Sequence, residues 1–92
     1  MNKKKAIQAT ISGSVQGVGY RLATLTKARK LNLTGWVKNT ADGSVECFAQ
    51  GNEEDINEFV IWLKKGPFLS RVENVIINKQ RVFDYKIFEI RY

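Results

Sequence analysis

The residues best suited to chemistry form a glycine-rich stretch that ends in an arginine. It reads Gly13-Ser-Val-Gln-Gly-Val-Gly-Tyr-Arg21. Glycine adopts positive φ at little cost, so such a loop can turn several backbone N–H groups toward one anion. Arg21 adds a planar guanidinium that can fork onto two oxygens of a phosphate or a carboxylate. The stretch therefore predicts a small anion site, with phosphate as the favoured ligand.

The glycine spacing excludes two well-known phosphate motifs. The P-loop requires Lys and then Ser or Thr after its last glycine, whereas Tyr20-Arg21 follows here. The dinucleotide fingerprint is G-x-G-x-x-G, and the spacing here is G-x-x-x-G-x-G. A tight connection with a solvated arginine stays open as the alternative when the loop is considered alone.

Composition limits the remaining chemistry. The chain has 92 residues, enough for one domain, and a net charge of +6 that favours anionic partners. It has no histidine, which removes the usual zinc ligand and the usual general base. Its single cysteine, Cys47, excludes an internal disulfide and is predicted to be a core thiol. We therefore expect no zinc site built from histidines or several cysteines.

Charge distribution and hydropathy bear on partners and location. The basic residues are dispersed, apart from Lys3-Lys4-Lys5 and short clusters near predicted helix ends. This spread predicts no specific nucleic-acid partner. No apolar run is long enough for a signal peptide or a membrane span. We expect a cytoplasmic protein without a membrane partner, and a single domain over 1–92 in which residues 1–5 are flexible.

The elements that must position the loop follow from periodicity. Residues 6–12 alternate as a strand with Ile7, Ala9 and Ile11 on its buried face. A helix begins near Arg21, and the spacing predicts an inward stripe, with Asn32 ending the helix in a left-handed conformation. The members of this stripe are Leu22, Leu25, Ala28 and Leu31.

The rest of the chain predicts a second helix and four further strands. Strands at 34–39 and 44–50 flank an Asp42-Gly43 turn. A helix capped by Asn52 follows, and strands at 72–78 and 86–91 complete the chain. The inward stripe of this helix consists of Ile56, Phe59, Val60 and Leu63.

This order predicts an α+β, ferredoxin-like βαββαβ plait. Its sheet is largely antiparallel, with two helices on one face and a short extra C-terminal strand. Right-handed crossovers bring the first and third strands to the centre. The glycine loop then lies close to the end of the second strand, where Asn39 is found.

Two separated motifs resemble the acylphosphatase family. Val15-Gln-Gly-Val-Gly-Tyr-Arg21 resembles its first signature, V-Q-G-V-x-[FY]-R. Gly35-Trp-Val-Lys-Asn39, followed by Asp42-Gly-Ser-Val45 and Gly51, resembles the second. The resemblance extends to Phe88-Glu-Ile-Arg-Tyr92. Both motifs occur in the family's order and spacing.

The resemblance implies an acylphosphatase, which hydrolyses acyl phosphates to carboxylate and inorganic phosphate. It assigns water orientation to the side-chain amide of Asn39, although asparagine before a turn can instead bond its own backbone. It assigns phosphate binding to Arg21 and to the loop amides. The loop residues are Val15, Gln16, Gly17, Val18, Gly19 and Tyr20. For the side chains of Gln16 and Tyr20 we expect shaping and packing roles.

The resemblance also implies partners and leaves alternatives. The expected partners are a small acyl phosphate and inorganic phosphate, the latter as product and inhibitor, and the chain is expected to be a monomer. Ser12 and Ser14 depart from the frequent histidine and arginine of the family, and Asn32 from a usual glycine. A non-catalytic anion-binding or regulatory module of the same fold stays open. An RNA-binding plait is less favoured, because the first strand carries no aromatic residue.

Overall fold

The computed structural model describes residues 3–92, which form five strands and two helices in the order β1-α1-β2-β3-α2-β4-β5. The elements are β1 (Lys4–Ser14), α1 (Tyr20–Lys30), β2 (Thr34–Asn39), β3 (Val45–Asn52), α2 (Glu53–Lys65), β4 (Arg71–Gln80) and β5 (Phe88–Arg91). Neither helix of this described part has the length and apolar character needed to cross a membrane.

The strands form one sheet in the order β4-β1-β3-β2-β5. β1 pairs antiparallel with β3 and β4, and β2 pairs antiparallel with β3. β5 runs parallel to β2, so the sheet is mixed at that edge. The predicted ferredoxin-like plait is confirmed, with β1 and β3 inside the sheet.

Both helices lie on the same face of the sheet, and the core lies between these two layers. Ile7, Ala9 and Ile11 of β1 are buried, as the alternation predicts, and Cys47 of β3 is buried beside them. On α2 the predicted stripe is confirmed: Ile56, Phe59 and Leu63 are buried, and Val60 packs against them.

The predicted inward face of α1 is wrong at one position. Leu22 is 62% exposed, whereas Tyr20, Thr24 and Ala28 are buried at intervals of four residues. The helix begins at Tyr20, whose large ring turns into the core and sets the helix rotation. At 3.6 residues per turn, a residue two positions later lies on the opposite side. The Leu22 side chain is therefore exposed to solvent beside the glycine loop.

The boundaries of the strands differ from the sequence prediction toward both ends of the chain. Residues 1 and 2, part of the segment expected to be flexible, lie outside the described residues. Lys4 and Lys5, from the same segment, begin β1 and pair with Asn52 and Gly51. β4 is longer than predicted and β5 is shorter. The predicted left-handed residue Asn32 is confirmed, with φ 58°.

Segment 81–87 covers part of the sheet face that carries no helix. The backbone N–H of Phe83 donates to Gln50 Oε1, and Gln50 Nε2 donates to the Phe83 carbonyl, each at 2.8 Å. The rings of Phe83 and Tyr85 pack edge-on against Phe48, which is only 4% exposed. Trp36 Nε1 donates to the Tyr85 hydroxyl. Trp36 is thus part of the packing on this face of the sheet.

Candidate active site

The glycine loop connects the end of β1 to the first turn of α1. Gly17 and Gly19 have φ of 75° and 80°, in the left-handed region. A Cβ at either position would meet no atom within 4 Å. These positions therefore favour glycine because of backbone conformation and not because of space.

The N-terminus of α1 opens directly onto this loop. Its N-cap is Gly19, which offers no capping side chain, and its first turn contains no acidic residue. The first intrahelical bond from this end is donated by Ala23 N–H to the Gly19 carbonyl. The N–H groups before it, with the positive end of the helix dipole, favour an anion at this place.

Tyr20 anchors the loop in the core. Its hydroxyl donates to the Leu63 carbonyl of α2 at 2.8 Å, and its ring lies 5.7 Å from that of Trp62. Burial, and to a smaller extent the neighbouring Cys47, raises the pKa of Tyr20 well above its usual value. The hydroxyl therefore stays protonated and acts as a packing anchor.

Gln16 fixes the loop to the turn between β2 and β3. Its Nε2 donates to the carbonyls of Thr40 and Ser44, at 2.9 Å and 2.8 Å. The turn itself is held by Asp42, whose carboxylate accepts from the Thr40 hydroxyl and from the Ser44 N–H. These bonds lower the pKa of Asp42, and the bond from the Thr40 hydroxyl has the largest effect. The side chain of Gln16 thus braces two segments and does not face the anion.

Asn39 is the last residue of β2, immediately before that turn. Its Oδ1 is buried and has no hydrogen-bond partner within residues 3–92. The alternative in which this oxygen bonds the turn backbone is therefore not observed, and Asp42 makes that contact instead. Buried polar atoms are normally paired, so a solitary acceptor marks a place where a ligand or water binds.

Arg21 and Asn39 line the same cavity, whose volume is about 260 Å³. Within the described residues Arg21 forms no ion pair; its guanidinium carbon lies 5.0 Å from the centre of the Tyr92 ring. The cavity lining consists of Val15, Gly17, Gly19, Tyr20, Arg21, Leu22, Asn39, Ile90 and Tyr92. Two predicted loop residues, Gln16 and Val18, contribute no lining.

Three lining residues were missed by sequence reasoning. Leu22 was placed in the core, and Ile90 and Tyr92 were given no site role. A signal for Ile90 was the short last strand, because β5 lies beside β2 and pairs Ile90 with Val37, two residues before Asn39. Tyr92 lies in the stretch Phe88-Glu-Ile-Arg-Tyr92 that the resemblance covers, but the resemblance implied no site role for it.

Other candidate groups contribute little chemistry. No cluster of three or more His, Cys, Asp or Glu that could hold a metal occurs between residues 3 and 92. Cys47 is fully buried, and burial together with the Glu46 carboxylate raises the pKa of its thiol. A protonated, inaccessible thiol is not a nucleophile.

The fold and cavity define a small α+β plait whose cavity brings together a guanidinium, a glycine loop and an amide oxygen that is unpaired within residues 3–92. Comparison with known proteins narrows this class. The acylphosphatase family model matches residues 7–90. The chain is 42% identical to an acylphosphatase of Acaryochloris marina over 91% of this chain and 90% of that protein. It is 44% identical to that of Leuconostoc mesenteroides, over 95% and 98%.

A solved structure agrees with these relatives. The acylphosphatase of Coxiella burnetii superposes with a TM-score of 0.93 at 42% identity, covering 98% of this chain and 94% of that one. The chain therefore belongs to the acylphosphatase family of hydrolases.

Proposed function

We propose that this protein hydrolyses the carboxyl–phosphate bond of acyl phosphates to a carboxylate and inorganic phosphate. The observation that carries the proposal is one cavity lined by both Arg21 and Asn39, with the Asn39 Oδ1 buried and unpaired within residues 3–92. Family membership supports the same activity.

The phosphate group is held by Arg21 and by loop amides between Val15 and Tyr20. A guanidinium forks onto two phosphate oxygens, and N–H groups at the start of α1 add fixed positive dipoles. Phosphoryl transfer spreads negative charge over the equatorial oxygens in the transition state. Donors fixed by the fold stabilise that charge without having to reorganise during the reaction.

The attacking water is oriented by Asn39. Its Oδ1 accepts one O–H of the water, which leaves a water lone pair directed at phosphorus, opposite the leaving group. A carboxamide is not a base at neutral pH, so its role is positional. The buried oxygen has no protein partner in the described chain, and it can therefore accept this bond without losing another.

Bond making and breaking then balance without an external reagent. The water oxygen bonds to phosphorus, the bond from phosphorus to the acyl oxygen breaks, and the carboxylate leaves with the electron pair. A carboxylate is a good leaving group and needs little protonation. The proton of the water passes to the phosphate itself. Guanidinium and N–H dipoles supply the positive charge, so the proposal requires no metal or cofactor.

We also propose an inhibitor, an oligomeric state and a location for this protein, from its sequence and its family resemblance. Inorganic phosphate, as product, inhibits by occupying the same anion site. The protein acts as a monomer. It works in the cytoplasm.

Hydrolysis of benzoyl phosphate by wild type and Arg21→Gln tests the function. Wild type should release phosphate and Arg21→Gln should not, with both variants folded by circular dichroism. A wild-type protein that binds inorganic phosphate in calorimetry but hydrolyses no acyl phosphate would be a non-catalytic module instead. Binding to single-stranded RNA without hydrolysis would favour the RNA-binding alternative.

A further inference from the structure

A second depression adjoins the anion cavity and differs from it in chemistry. It is a shallow groove of about 530 Å³ along α1. Gly19 and Leu22 line both the groove and the anion cavity, so the two form one continuous surface. A molecule held by its phosphate in the cavity can therefore extend into the groove.

The groove has apolar walls. Leu22 and Ala23 of α1 form one side, and Trp62 of α2 with Pro67 forms the other. Leu22 is 62% exposed. Large exposed apolar side chains next to a polar site commonly mark a binding surface. An apolar occupant would remove this surface from water.

The Trp62 wall is rigid before anything binds. Its ring stacks on Phe59 at 6.4 Å and lies 5.7 Å from Tyr20, whose hydroxyl is fixed to the Leu63 carbonyl. A preformed wall does not have to be ordered when a ligand binds, so its apolar contact contributes to affinity. Tyr20 thus connects the groove wall to the start of α1, where the phosphate is proposed to bind.

The two lysines of the groove lining, Lys27 and Lys30, both lie in the last turn of α1, beyond Thr26. Lys27, which also lines the groove, is paired with Glu58 at 3.0 Å. Its charge is therefore largely balanced. The other side of the anion cavity is less suited, because the Tyr92 ring already lies against the Arg21 guanidinium, whose carbon is 5.0 Å from the ring centre.

We propose that this groove binds the acyl chain of the substrate, so that the protein prefers acyl phosphates with apolar chains of several carbons over acetyl phosphate. The inference rests on the proposed function. The phosphate lies in the anion cavity, the scissile bond lies at the rim formed by Gly19 and Leu22, and the chain follows α1 toward Thr26. Each methylene group of the chain that enters the groove is removed from contact with water.

The test is the dependence of kcat/KM on chain length, measured with acetyl, butanoyl, hexanoyl and octanoyl phosphate. A half-covered methylene should raise kcat/KM about twofold, so the four additional methylenes of hexanoyl phosphate should raise it roughly fifteenfold over acetyl phosphate. Thr26→Trp should fill the distant part of the groove. It should remove most of the gain for hexanoyl and octanoyl phosphate and leave acetyl phosphate unchanged.

Two further variants make the test specific. Leu22→Ser should flatten the chain-length dependence by shortening one apolar wall. Ile61→Ser, which removes another exposed apolar side chain but outside the groove, should keep the wild-type dependence. Thermal melts of all three variants check that each is folded.

The outcomes separate this inference from the proposed function. Hydrolysis of all four substrates at equal kcat/KM by wild type would refute the acyl groove and leave the proposed function standing. The groove would also be refuted if Tyr92→Ser abolished the chain-length dependence of kcat/KM and Thr26→Trp left it unchanged. That result would place the acyl chain on the Tyr92 side of the anion cavity. No hydrolysis of any of the four would overturn both.

Discussion

At the residue scale, the proposed chemistry depends on two side chains with different tasks. Arg21 brings a permanent charge to the cavity, and Asn39 brings a neutral oxygen that is buried and unpaired within residues 3–92. The motif resemblance identified both residues. The sequence alone left open whether the Asn39 oxygen bonds its own turn, and within residues 3–92 that oxygen has no hydrogen-bond partner.

Arg21→Lys should lose several orders of magnitude in kcat/KM for benzoyl phosphate. Arginines that stabilise a transferring phosphoryl group contribute about 10³- to 10⁵-fold. Lysine keeps the charge but is a point donor and cannot fork onto two oxygens. Steady-state kinetics together with a thermal melt measures the effect. A stable variant with near-normal activity would show that the bidentate contact is not used.

Asn39→Ala should lose most turnover and keep the affinity for phosphate. In the proposed mechanism the Asn39 side chain positions water, whereas Arg21 and the loop hold the anion, so the loss of turnover and the loss of phosphate affinity should be separable. Removing one oriented group should lower kcat by about 10²-fold or more. The inhibition constant of inorganic phosphate reports the anion site independently. Weak phosphate inhibition with normal kcat would mean that the two roles have been assigned the wrong way round.

At the scale of elements, the site exists because a loop and a turn from different parts of the sheet are fixed together. Gln16 makes this connection through two carbonyls, on either side of the turn that follows Asn39. The sequence suggested only a shaping role for Gln16. The sequence could not show that Gln16 bonds to the Thr40 carbonyl, because the two residues are 24 positions apart.

Gln16→Ala should therefore lower both turnover and phosphate affinity, unlike Asn39→Ala. Without the brace the loop and the end of β2 can shift relative to each other, and a displacement of about 1 Å can cost about 10²-fold in rate. We expect a loss of about tenfold or more in kcat and a weaker phosphate inhibition constant. Gln80→Ala, at an exposed position on β4, is the matched control and should behave as wild type. Reduced stability with unchanged kinetics would make Gln16 a structural residue only.

Periodicity predicted the elements well and failed where tertiary contacts override it. The period of two placed Ile7, Ala9 and Ile11 correctly, because each strand has one face toward the helices. For α1 the rotation is set by the buried ring of Tyr20, which the apolar stripe does not reveal. Phe48 is buried from the other side by segment 81–87, a contact between distant parts of the chain that no local pattern encodes.

At the scale of the whole molecule, ionisable groups determine how activity and stability respond to pH. The chain has no histidine, and its one thiol is buried with a raised pKa. The carboxylate nearest in sequence to Asn39, Asp42, has a lowered pKa and is fully engaged in its turn. No group with an ordinary pKa near 7 is therefore at hand to act as a general base.

The rate should accordingly show an acidic limb and no basic limb near neutrality. A phosphate monoester becomes a monoanion near pH 6, and an acyl phosphate at somewhat lower pH, which weakens its attraction to Arg21. Activity should fall there and stay level above it, and a chelator should have no effect. Asp42→Asn, measured from pH 4 to 9, should keep the wild-type profile. A bell-shaped profile that this substitution moves, or strict dependence on magnesium, would require a different mechanism.

Stability should decline in alkali because two buried acids hold their protons in the folded protein. Cys47 and Tyr20 have ordinary pKa values of 9.0 and 10.0, and burial raises both when the chain folds. Above those values the unfolded chain has released protons that the folded chain still binds, so the free energy of unfolding falls as pH rises. Below pH 9 both groups are protonated in the folded and the unfolded chain, so neither lowers the free energy of unfolding there. Each group can contribute up to about 1.4 kcal/mol per pH unit.

Urea unfolding between pH 8 and 11 measures this slope. Cys47→Ala should make the decline shallower from pH 9 upward, and Tyr20→Phe should do so from pH 10 upward. Tyr20→Phe should also cost about 1 kcal/mol at pH 8, because it removes the bond to the Leu63 carbonyl. Tyr92→Phe, at a ring that is 98% exposed, should keep the wild-type slope. If Cys47→Ala and Tyr20→Phe both kept that slope, the two groups would have to ionise in the folded state, and the close-packed core between α1, α2 and the sheet would have to admit water.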